Sequence, residues 1–459
     1  MIRHRAFALG SVSVAVATVL LVACSDGGGA RASFVENDGA TDVTEASLPP
    51  PSSDGGVTEA SADATPPKPQ YDASDEPVVC ASTPCVTQLA GGKDYFCALL
   101  VDGSARCWGT DHYGELGRGQ RGPNDLYTGV PPSPVAGVTN ATQISASPLG
   151  MTTCVRNAAR RVQCWGVNWT GQLGLQVSPP SADGMPHPTP TEVALTTDID
   201  RVDVGPDTVC AFDGNREVYC WGSNQYGLLA RPDEPVTQYE WGLGGPGLAD
   251  FESHEVKRVA IGSESAFGLT SNAQILGWGV VAGRDSSLPS SAPNPGPAPL
   301  PTVRDATAVA TSDRFSCAIA GGEVYCWGRN ANGQLGTGFP NDERLPARAR
   351  ILANGGAYPQ QLALGRTTAC VRLTDGTIQC AGGNGHGVLA RPDAGQASGD
   401  YEPVPLPGRA VQIVASEKAF CALIQGGSVV CWGSNSYGEL GQGTVDYDAH
   451  PIPVAVVLE

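Results

Sequence analysis

A pair of cysteines nine or ten positions apart, followed by Trp-Gly, recurs along this chain of 459 residues. CALLVDGSARCWG begins at Cys97, and CALIQGGSVVCWG begins at Cys421. The Trp-Gly step stands at positions 108, 165, 221, 278, 327 and 432, and Ala381-Gly382 takes its place in a seventh unit. Units of 49 to 57 residues predict a solenoid or a propeller rather than a series of unrelated domains.

The strand pattern within each unit favours the propeller. A unit contains a Pro-Val strand such as SPVAGV, a second short strand such as TQISA, and the cysteine hairpin. Four short antiparallel strands form one blade, and closing the blades into a ring protects their edges. We predict an all-β, seven-bladed β-propeller over residues 80–459, with four strands per blade. Because the Pro-Val strand is taken to open each unit, Pro451–Leu458 is expected to complete the first blade, with Pro77–Val79 as the rival strand.

The hairpin register predicts disulfides. The loop Val101–Gly103 fits a type I turn followed by a left-handed glycine, and a two-residue Gly-Gly loop serves the shorter unit at Cys317. In both cases the cysteines lie opposite each other on a non-hydrogen-bonded pair, where Cα atoms are about 4.5 Å apart. The fourth unit lacks both cysteines together, as expected for two halves of one bridge. Zinc binding is the alternative, although structural zinc sites usually place their cysteines closer in sequence. The predicted pairs are Cys97–Cys107, Cys154–Cys164, Cys210–Cys220, Cys317–Cys326, Cys370–Cys380, Cys421–Cys431 and Cys80–Cys85.

The N-terminus has the pattern of an export signal. A basic start at residues 1–5 precedes an apolar run that ends in Leu-Val-Ala-Cys24. This resembles a bacterial lipoprotein signal, which implies a signal peptide over 1–23 and lipid on the Cys24 sulfur. An uncleaved anchor helix and an ordinary signal with a chance cysteine are the alternatives. Residues 24–79 are rich in Gly, Ser, Pro, Thr and Asp, which predicts a disordered acidic linker.

Charge and cysteine content exclude some functions. The net charge of −18 offers no basic surface for nucleic acid or for anionic lipid head groups. Fifteen cysteines in regular positions indicate an oxidising compartment. The six histidines lack metal-ligand spacing, and no P-loop, nucleophile elbow or EF-hand loop is present. We therefore assign no catalytic residue, no metal and no cofactor.

Two sets of aromatic residues are candidates for binding. Tyr239, Trp241 and Phe251 lie in a glycine-rich loop of the third unit and are candidate anchors for a partner. The alternative is that this loop folds onto its own blade. A column of aromatic residues follows the Trp-Gly steps and predicts either a hydrogen-bonding rim or packing at blade corners. Its members are Tyr113, Tyr226, His386, Tyr437 and, one place off, Trp169.

The segments CWGSNSYGELGQG, CWGTDHYGELGRG and CWGRNANGQLGTG resemble the regulator of chromosome condensation repeat family. The resemblance covers about residues 86–459, is weakest in the fourth unit, and implies a seven-bladed propeller. The founding eukaryotic member promotes nucleotide exchange on a nuclear GTPase and binds chromatin. Export and acidic charge argue against both activities here, so exchange-like regulation remains an alternative by family analogy only.

The leading hypothesis is an exported lipoprotein in the bacterial envelope, anchored to the membrane only through its N-terminal lipid. Its monomeric propeller would bind a protein or glycan partner without catalysis and without binding nucleic acid. An enzyme, such as a lyase or hydrolase with a site in the central channel, is one alternative. A purely structural envelope protein is another.

Overall fold

The described part of the computed structural model comprises residues 76–81, 83–121, 129–176, 182–231, 243–281, 294–338, 341–352, 355–393 and 395–458. The predicted signal peptide, Cys24 and most of the predicted linker lie outside these ranges, as do Tyr239 and Trp241. Within the described ranges, no helix has the length and apolar character needed to cross a membrane.

The described residues form 28 β-strands in seven antiparallel sheets of four consecutive strands. Blade 1 contains β1 (Val86–Gly91), β2 (Tyr95–Leu100), β3 (Ala105–Gly109) and β4 (Val130–Pro134). Blade 2 contains β5 (Ala141–Ala146), β6 (Thr152–Asn157), β7 (Val162–Asn168) and β8 (Asp183–Glu192). Blade 3 contains β9 (Ile199–Val204), β10 (Thr208–Asp213), β11 (Val218–Ser223), a 3-10 turn at Gln225–Gly227, and β12 (Leu243–Leu248).

The remaining four blades repeat this order. Blade 4 contains β13 (Val256–Ile261), β14 (Ser265–Thr270), β15 (Ile275–Gly279) and β16 (Asn294–Pro299). Blade 5 contains β17 (Ala306–Thr311), β18 (Phe315–Ala320), β19 (Glu323–Gly328) and β20 (Glu343–Arg348). Blade 6 contains β21 (Pro359–Leu364), β22 (Thr368–Leu373), β23 (Ile378–Gly383) and β24 (Ala397–Pro403). Blade 7 contains β25 (Ala410–Ala415), β26 (Ala419–Ile424), β27 (Val429–Gly433) and β28 (His450–Ala455).

The first strand of each blade lines a central channel, and the fourth strand is outermost. Each fourth strand contains at least one proline, as in VPPSP of β4 and HPIPVA of β28. The turns between first and second strands and the loops between third and fourth strands emerge on one face, which we call the loop face. The hairpin turns between second and third strands and the connections between blades emerge on the other, which we call the hairpin face.

The prediction that the C-terminal strand completes the first blade is wrong. Strand β28 pairs with β27 of its own blade, with Val430 opposite Ala455 and Cys431 opposite Val454. Blade 1 takes its outer strand from β4 instead. The Pro-Val strand therefore ends the blade that begins before it, because it pairs with the Cys-Trp strand that precedes it in sequence. Pro77–Val79, the rival segment, is not one of the four strands of blade 1 either.

None of the described strands is shared between the two ends of the ring, and the segment 76–86 bridges them. The amides of Val79 and Val86 donate hydrogen bonds to the backbone oxygens of Gln425 (3.2 Å) and Gly427 (3.0 Å), in the hairpin turn of blade 7. Cys80 and Cys85 are joined by a disulfide within this segment. Residues 76–79, which composition places in the linker, thus contact the propeller.

Glu76 links the same segment to blade 6. Its carboxylate accepts hydrogen bonds from Arg372 at 2.9 Å and from Arg409 at 2.7 Å. The Arg372 side chain is only 3% exposed, so this carboxylate neutralises a buried charge. The incoming chain is therefore part of the ring closure.

Glutamine side chains join neighbouring blades along the channel. Gln412 accepts from the Leu89 amide at 2.7 Å and donates to the Leu89 oxygen at 3.0 Å, which joins blade 7 to blade 1. Gln143 makes the same two bonds with Val202, at 3.0 and 2.7 Å. Gln88 and Gln361 accept from the first strand of the following blade in the same way. These amides link the first strands of neighbouring blades, which do not pair with each other through their backbones.

Tryptophans of the repeat fill the wedges between blades. Trp108, Trp165, Trp221, Trp278 and Trp432 each donate an indole hydrogen bond of 2.7 to 3.0 Å to a backbone oxygen of the preceding blade. Among the described residues, the Trp327 indole has no hydrogen-bond partner. Where Ala381 replaces tryptophan, the ring of Tyr401 is fully buried against Gly336. This tyrosine, from the outer strand, takes the space of the missing indole.

The six hairpin disulfides and the Cys80–Cys85 bridge are present with the predicted pairings. In the hairpins the bridged Cα atoms are 4.1 to 4.2 Å apart, the close spacing of a non-hydrogen-bonded pair. In blade 4, Phe267 lies opposite Gly277 instead, and its buried ring covers the glycine. An aromatic–glycine contact thus replaces the disulfide where both cysteines are missing.

Candidate interaction surface

Exposed and partly exposed aromatic rings lie on the loop face at both sides of blade 1. On one side His112, Tyr113 and Trp169 form a cluster, with ring centres 4.3 Å apart for His112–Tyr113 and 4.9 Å apart for Tyr113–Trp169. On the other side lie Tyr437 and Tyr447, which are 40% and 89% exposed. We call these five residues the aromatic surface. Trp169 is 37% exposed, so large rings from blades 2 and 7 face solvent, while His112 and Tyr113 of blade 1 are partly exposed.

The backbone beneath these rings forms the joint between blades. The Tyr113 oxygen accepts from the His187 amide of blade 2 at 3.2 Å. The following Gly114, at φ +84°, packs directly on Pro188, where a Cβ would clash. The Tyr437 backbone packs in the same way against Gly129 of blade 1. The two interpretations of this column therefore combine, because the backbone packs at blade corners while the rings stay available.

Other members of the column are less exposed. Tyr226 is partly buried against the apolar cluster between blades 3 and 4. The His386 oxygen accepts from the His450 amide of blade 7 at 3.2 Å, which repeats the joint made by Tyr113. Burial lowers the pKa of the His386 imidazole, and nearby Lys418 lowers it further. These two positions serve mainly to join blades.

Phe251 does not lie at the surface. It is 6% exposed, and its ring centre is 5.3 Å from that of Trp278 in an edge-on contact. It follows the outer strand of blade 3 at the position that Leu195 and Ile351 occupy after blades 2 and 5. The connection between blades packs an apolar side chain at this point, so Phe251 belongs to the core. Tyr239 and Trp241, its predicted partners, lie outside the described residues.

Buried carboxyl groups hold two of the aromatic loops in place. Glu115 accepts from the Tyr113 amide at 2.6 Å, and Glu439 accepts from the Tyr437 amide at 2.7 Å. Burial raises the pKa of Glu115 to about 8 and that of Glu439 to about 7. Gln172 holds the loop of blade 2 by the same contact to the Thr170 amide, at 2.9 Å. At these positions a neutral side chain fits the site, whether amide or protonated acid.

Asn–Asp–His contacts tie two of the loops to the outer strands. In blade 7, Asp446 accepts from Asn435 at 2.7 Å and contacts the His450 ring nitrogen at 2.6 Å. In blade 2, Asn168, Asp183 and His187 repeat the arrangement. Hydrogen bonds to the carboxylate outweigh its burial and lower the pKa of Asp446. The contacts fix the loops that carry Trp169 and Tyr437.

Most side-chain amide groups that line the central channel already make hydrogen bonds within the protein. Its space of about 300 Å³ is lined by the first strands, including Gln88, Gln143, Gln361 and Gln412. The oxygens of these four amides accept backbone hydrogen bonds from the next blade. Within the described ranges, no group of three His, Cys, Asp or Glu residues could hold a metal ion.

Family models and relatives agree with this geometry. Models of the regulator of chromosome condensation (RCC1) repeat match residues 199–228, 321–390 and 410–439. The ultraviolet-B receptor UVR8 of Arabidopsis thaliana is 25% identical over 389 residues, which cover 81% of each protein. The E3 ubiquitin-protein ligase HERC2 of Homo sapiens is 24% identical over 305 residues, or 62% of this chain, and the chain spans only 6% of HERC2.

Solved structures show the same fold. Prp20p from Saccharomyces cerevisiae superposes with a TM-score of 0.64 at 18% identity and covers 81% of this chain and 87% of its own. Human WBSCR16 superposes with a TM-score of 0.64 at 21% identity and covers 77% and 94%. The solved structures thus show the propeller fold, and residues 199–228, 321–390 and 410–439 are similar to regulator of chromosome condensation repeats.

Proposed function

We propose that this chain is an exported lipoprotein whose propeller binds a protein partner on the loop face, through the aromatic surface. The observation that carries the proposal is the exposure of Trp169, Tyr437 and Tyr447 on loops held rigidly by buried contacts. Large aromatic side chains on a preformed surface are typical anchors of protein interfaces. Prp20p, which shares the fold, binds Gsp1p and histones, and Kap60 has been crystallised with it.

The compartment separates this proposal from nucleotide exchange. Seven disulfides indicate an oxidising environment outside the cytosol. A protein or glycan of the envelope is therefore a more suitable partner than an intracellular GTPase. An enzyme with its site in the central channel finds little support, because the glutamine amides that line the channel are used to join the blades.

Site-specific crosslinking tests the loop-face proposal. A photoreactive amino acid is placed at Trp169 or at Tyr447 in the full chain, expressed in whole cells, with Val101 as the matched control. Val101 is 59% exposed on the hairpin face of blade 1. We expect a discrete crosslinked protein from positions 169 and 447 and none from 101. Equal crosslinking from position 101, or no product from the two loop-face positions, would contradict the proposal.

Variants of the same aromatic surface distinguish a glycan partner from a protein partner. If the purified propeller binds a glycan array and the Trp169→Ala/Tyr447→Ala variant does not, the partner is a glycan and the protein-binding proposal fails.

Lipid attachment is tested separately with a clickable fatty acid. We expect label on the wild type and none on Cys24→Ala, whereas equal labelling of both would refute the lipid anchor.

A further inference from the structure

A cavity of about 420 Å³ opens on the hairpin face, beside the end of the central channel. Leu99, Val411 and Leu423 form its apolar side and are at most 4% exposed. Its polar side contains Gln88, Gln143 and Gln412, and charged groups surround them. The charged residues that line it are Glu76, Arg156, Asp200 and Arg201.

The carboxylates of this cavity already have cationic partners. Glu76 accepts from Arg372 and Arg409, as described above. Asp200 pairs with Arg160 at 2.7 Å. Arg201, the second lining arginine, pairs with Asp203 at 2.8 Å. The acceptors of the cavity are therefore engaged by the protein itself.

Two lining donors are left without a partner in the described part of the chain. The Arg156 guanidinium makes no hydrogen bond or ion pair there, and its Nε is buried. Gln88 uses its amide oxygen to accept from the Ile144 amide at 2.9 Å, which leaves its Nε2 group as a donor. Asp200 acts on Arg156 through the electrostatic field only, while its hydrogen bond goes to Arg160. The Arg156 guanidinium and the Gln88 Nε2 group therefore lack an acceptor in the described part of this cavity.

We propose that the cavity binds a small carboxylate ligand with an apolar body, of the size of an acylated hydrophobic amino acid. Arg156 holds the carboxylate, since its planar guanidinium matches two carboxylate oxygens. The Gln88 Nε2 group adds a second donor, and the apolar body lies on Leu99, Val411 and Leu423. The volume falls within the range of small-molecule sites.

The surrounding charge favours such a ligand although the chain is strongly acidic overall. Arginines cluster at this end of the channel, and because four of them are paired with carboxylates, the charge of Arg156 is the one that attracts an anion. They are Arg156, Arg160, Arg201, Arg372 and Arg409. This site lies on the face opposite the aromatic surface, so it goes beyond the proposed protein-binding function and does not depend on it.

Calorimetric titration of the oxidised, full-length protein tests the site. The probe is N-acetyl-L-leucine, and its neutral amide, N-acetyl-L-leucinamide, is the matched ligand control. Arg156→Gln is compared with Arg314→Gln, which removes the same charge from an arginine whose side chain is 58% exposed on the loop face. We expect saturable binding of the acid, and a loss of affinity of about ten- to a hundred-fold for Arg156→Gln or for the amide. Arg314→Gln should bind like the wild type.

A blocking variant tests the location independently of the arginine. Thr142 is exposed at the rim of the cavity, and Thr142→Trp should close it while Arg156 remains. We expect binding of N-acetyl-L-leucine to be lost in this variant with the melting temperature unchanged. No saturable binding to the wild type, equal binding of acid and amide, equal affinities of the two arginine variants, or full binding by Thr142→Trp would each overturn the proposal.

Discussion

The Trp108 indole donates a hydrogen bond of 2.8 Å to the backbone oxygen of Glu439, across the junction between blade 1 and blade 7. The same contact recurs at four other junctions, but here it joins the two ends of the chain. Because none of the described strands is shared at this seam, the closure depends on side chains, on the segment 76–86 and on the backbone hydrogen bond of 2.9 Å from the Glu417 amide to the Lys93 oxygen. The stability of the ring should therefore depend on a few identifiable contacts.

Replacing Trp108 with phenylalanine removes this bond and leaves a buried backbone oxygen without its donor. We expect Trp108→Phe to lower the free energy of unfolding by about 2–4 kcal/mol. Trp327→Phe is the matched control, because that indole has no hydrogen-bond partner among the described residues. We expect the loss in the free energy of unfolding to be about 1–2 kcal/mol smaller for Trp327→Phe than for Trp108→Phe. Chemical denaturation of the oxidised proteins measures both, and equal losses would show that the hydrogen bond contributes nothing.

Glu76→Gln should weaken the closure in a pH-dependent way. Burial opposes ionisation of Glu76, but hydrogen bonds from Arg409 and Arg372 outweigh it and hold its pKa below the ordinary value. The ionised group therefore stabilises the fold above its unfolded pKa of 4.5, and this contribution is lost as the pH falls through the lowered folded pKa. We expect a loss of about 1–3 kcal/mol at pH 7 that shrinks on acidification. Thermal unfolding from pH 3 to 7 measures it, and a loss that does not depend on pH would contradict the ion pair.

Glu439→Gln should stabilise the protein at neutral pH. The pKa of Glu439 is raised to about 7, so the folded state retains a proton that the unfolded chain loses above its ordinary pKa of 4.5. Stability contributed by this group is present below pH 4.5 and falls as the pH rises to about 7. Glutamine keeps the acceptor for the Tyr437 amide, as Gln172 does in blade 2. We expect a gain of about 1–3 kcal/mol at pH 8 that disappears near pH 4. A melting temperature lowered at pH 8 would contradict a neutral carboxyl at this site.

Removal of one hairpin disulfide should destabilise its blade. For Cys210→Ala/Cys220→Ala we expect a loss of about 2–3 kcal/mol, because the bridge closes a short loop in the unfolded chain. The same protein after full reduction should lose far more, since seven bridges are removed at once. Denaturation curves measure the losses, and peptide mapping without reduction checks the pairs. Bridges between different blades would contradict the register.

The sequence was sufficient for the fold and the disulfides, because both follow from local order. Hairpin loop length determines which residues face each other, so Cys97 and Cys107 could be paired without knowledge of other blades. The position at which one blade ends and the next begins was harder to predict from the sequence. A strand at a blade boundary can pair with the strand before it or start the next unit, and periodicity is the same in both cases. That ambiguity led to the wrong partner for the C-terminal strand.

The candidate surface was predicted less well than the fold. Phe251 follows an outer strand, as the apolar Leu195 and Ile351 do, and this recurrence would have placed it in the core. The glutamine contacts also had a signal, since Gln88, Gln143 and Gln412 recur at one position of the first strand. The cavity proposed to bind a carboxylate ligand had no such signal in the sequence. It combines residues from several blades whose relative register is determined only when the ring is closed.

The prolines of the outer strands have a consequence for crowding. Lipid anchoring, as proposed here, would confine copies of the protein to one membrane, where an open strand edge on one copy could pair with the edge of another. Proline has no amide hydrogen, so an edge that contains it offers an interrupted template for strand addition. All seven outer strands carry such an interruption. We therefore expect the outer edges to be poor templates for strand pairing between copies, which leaves recognition to the two faces.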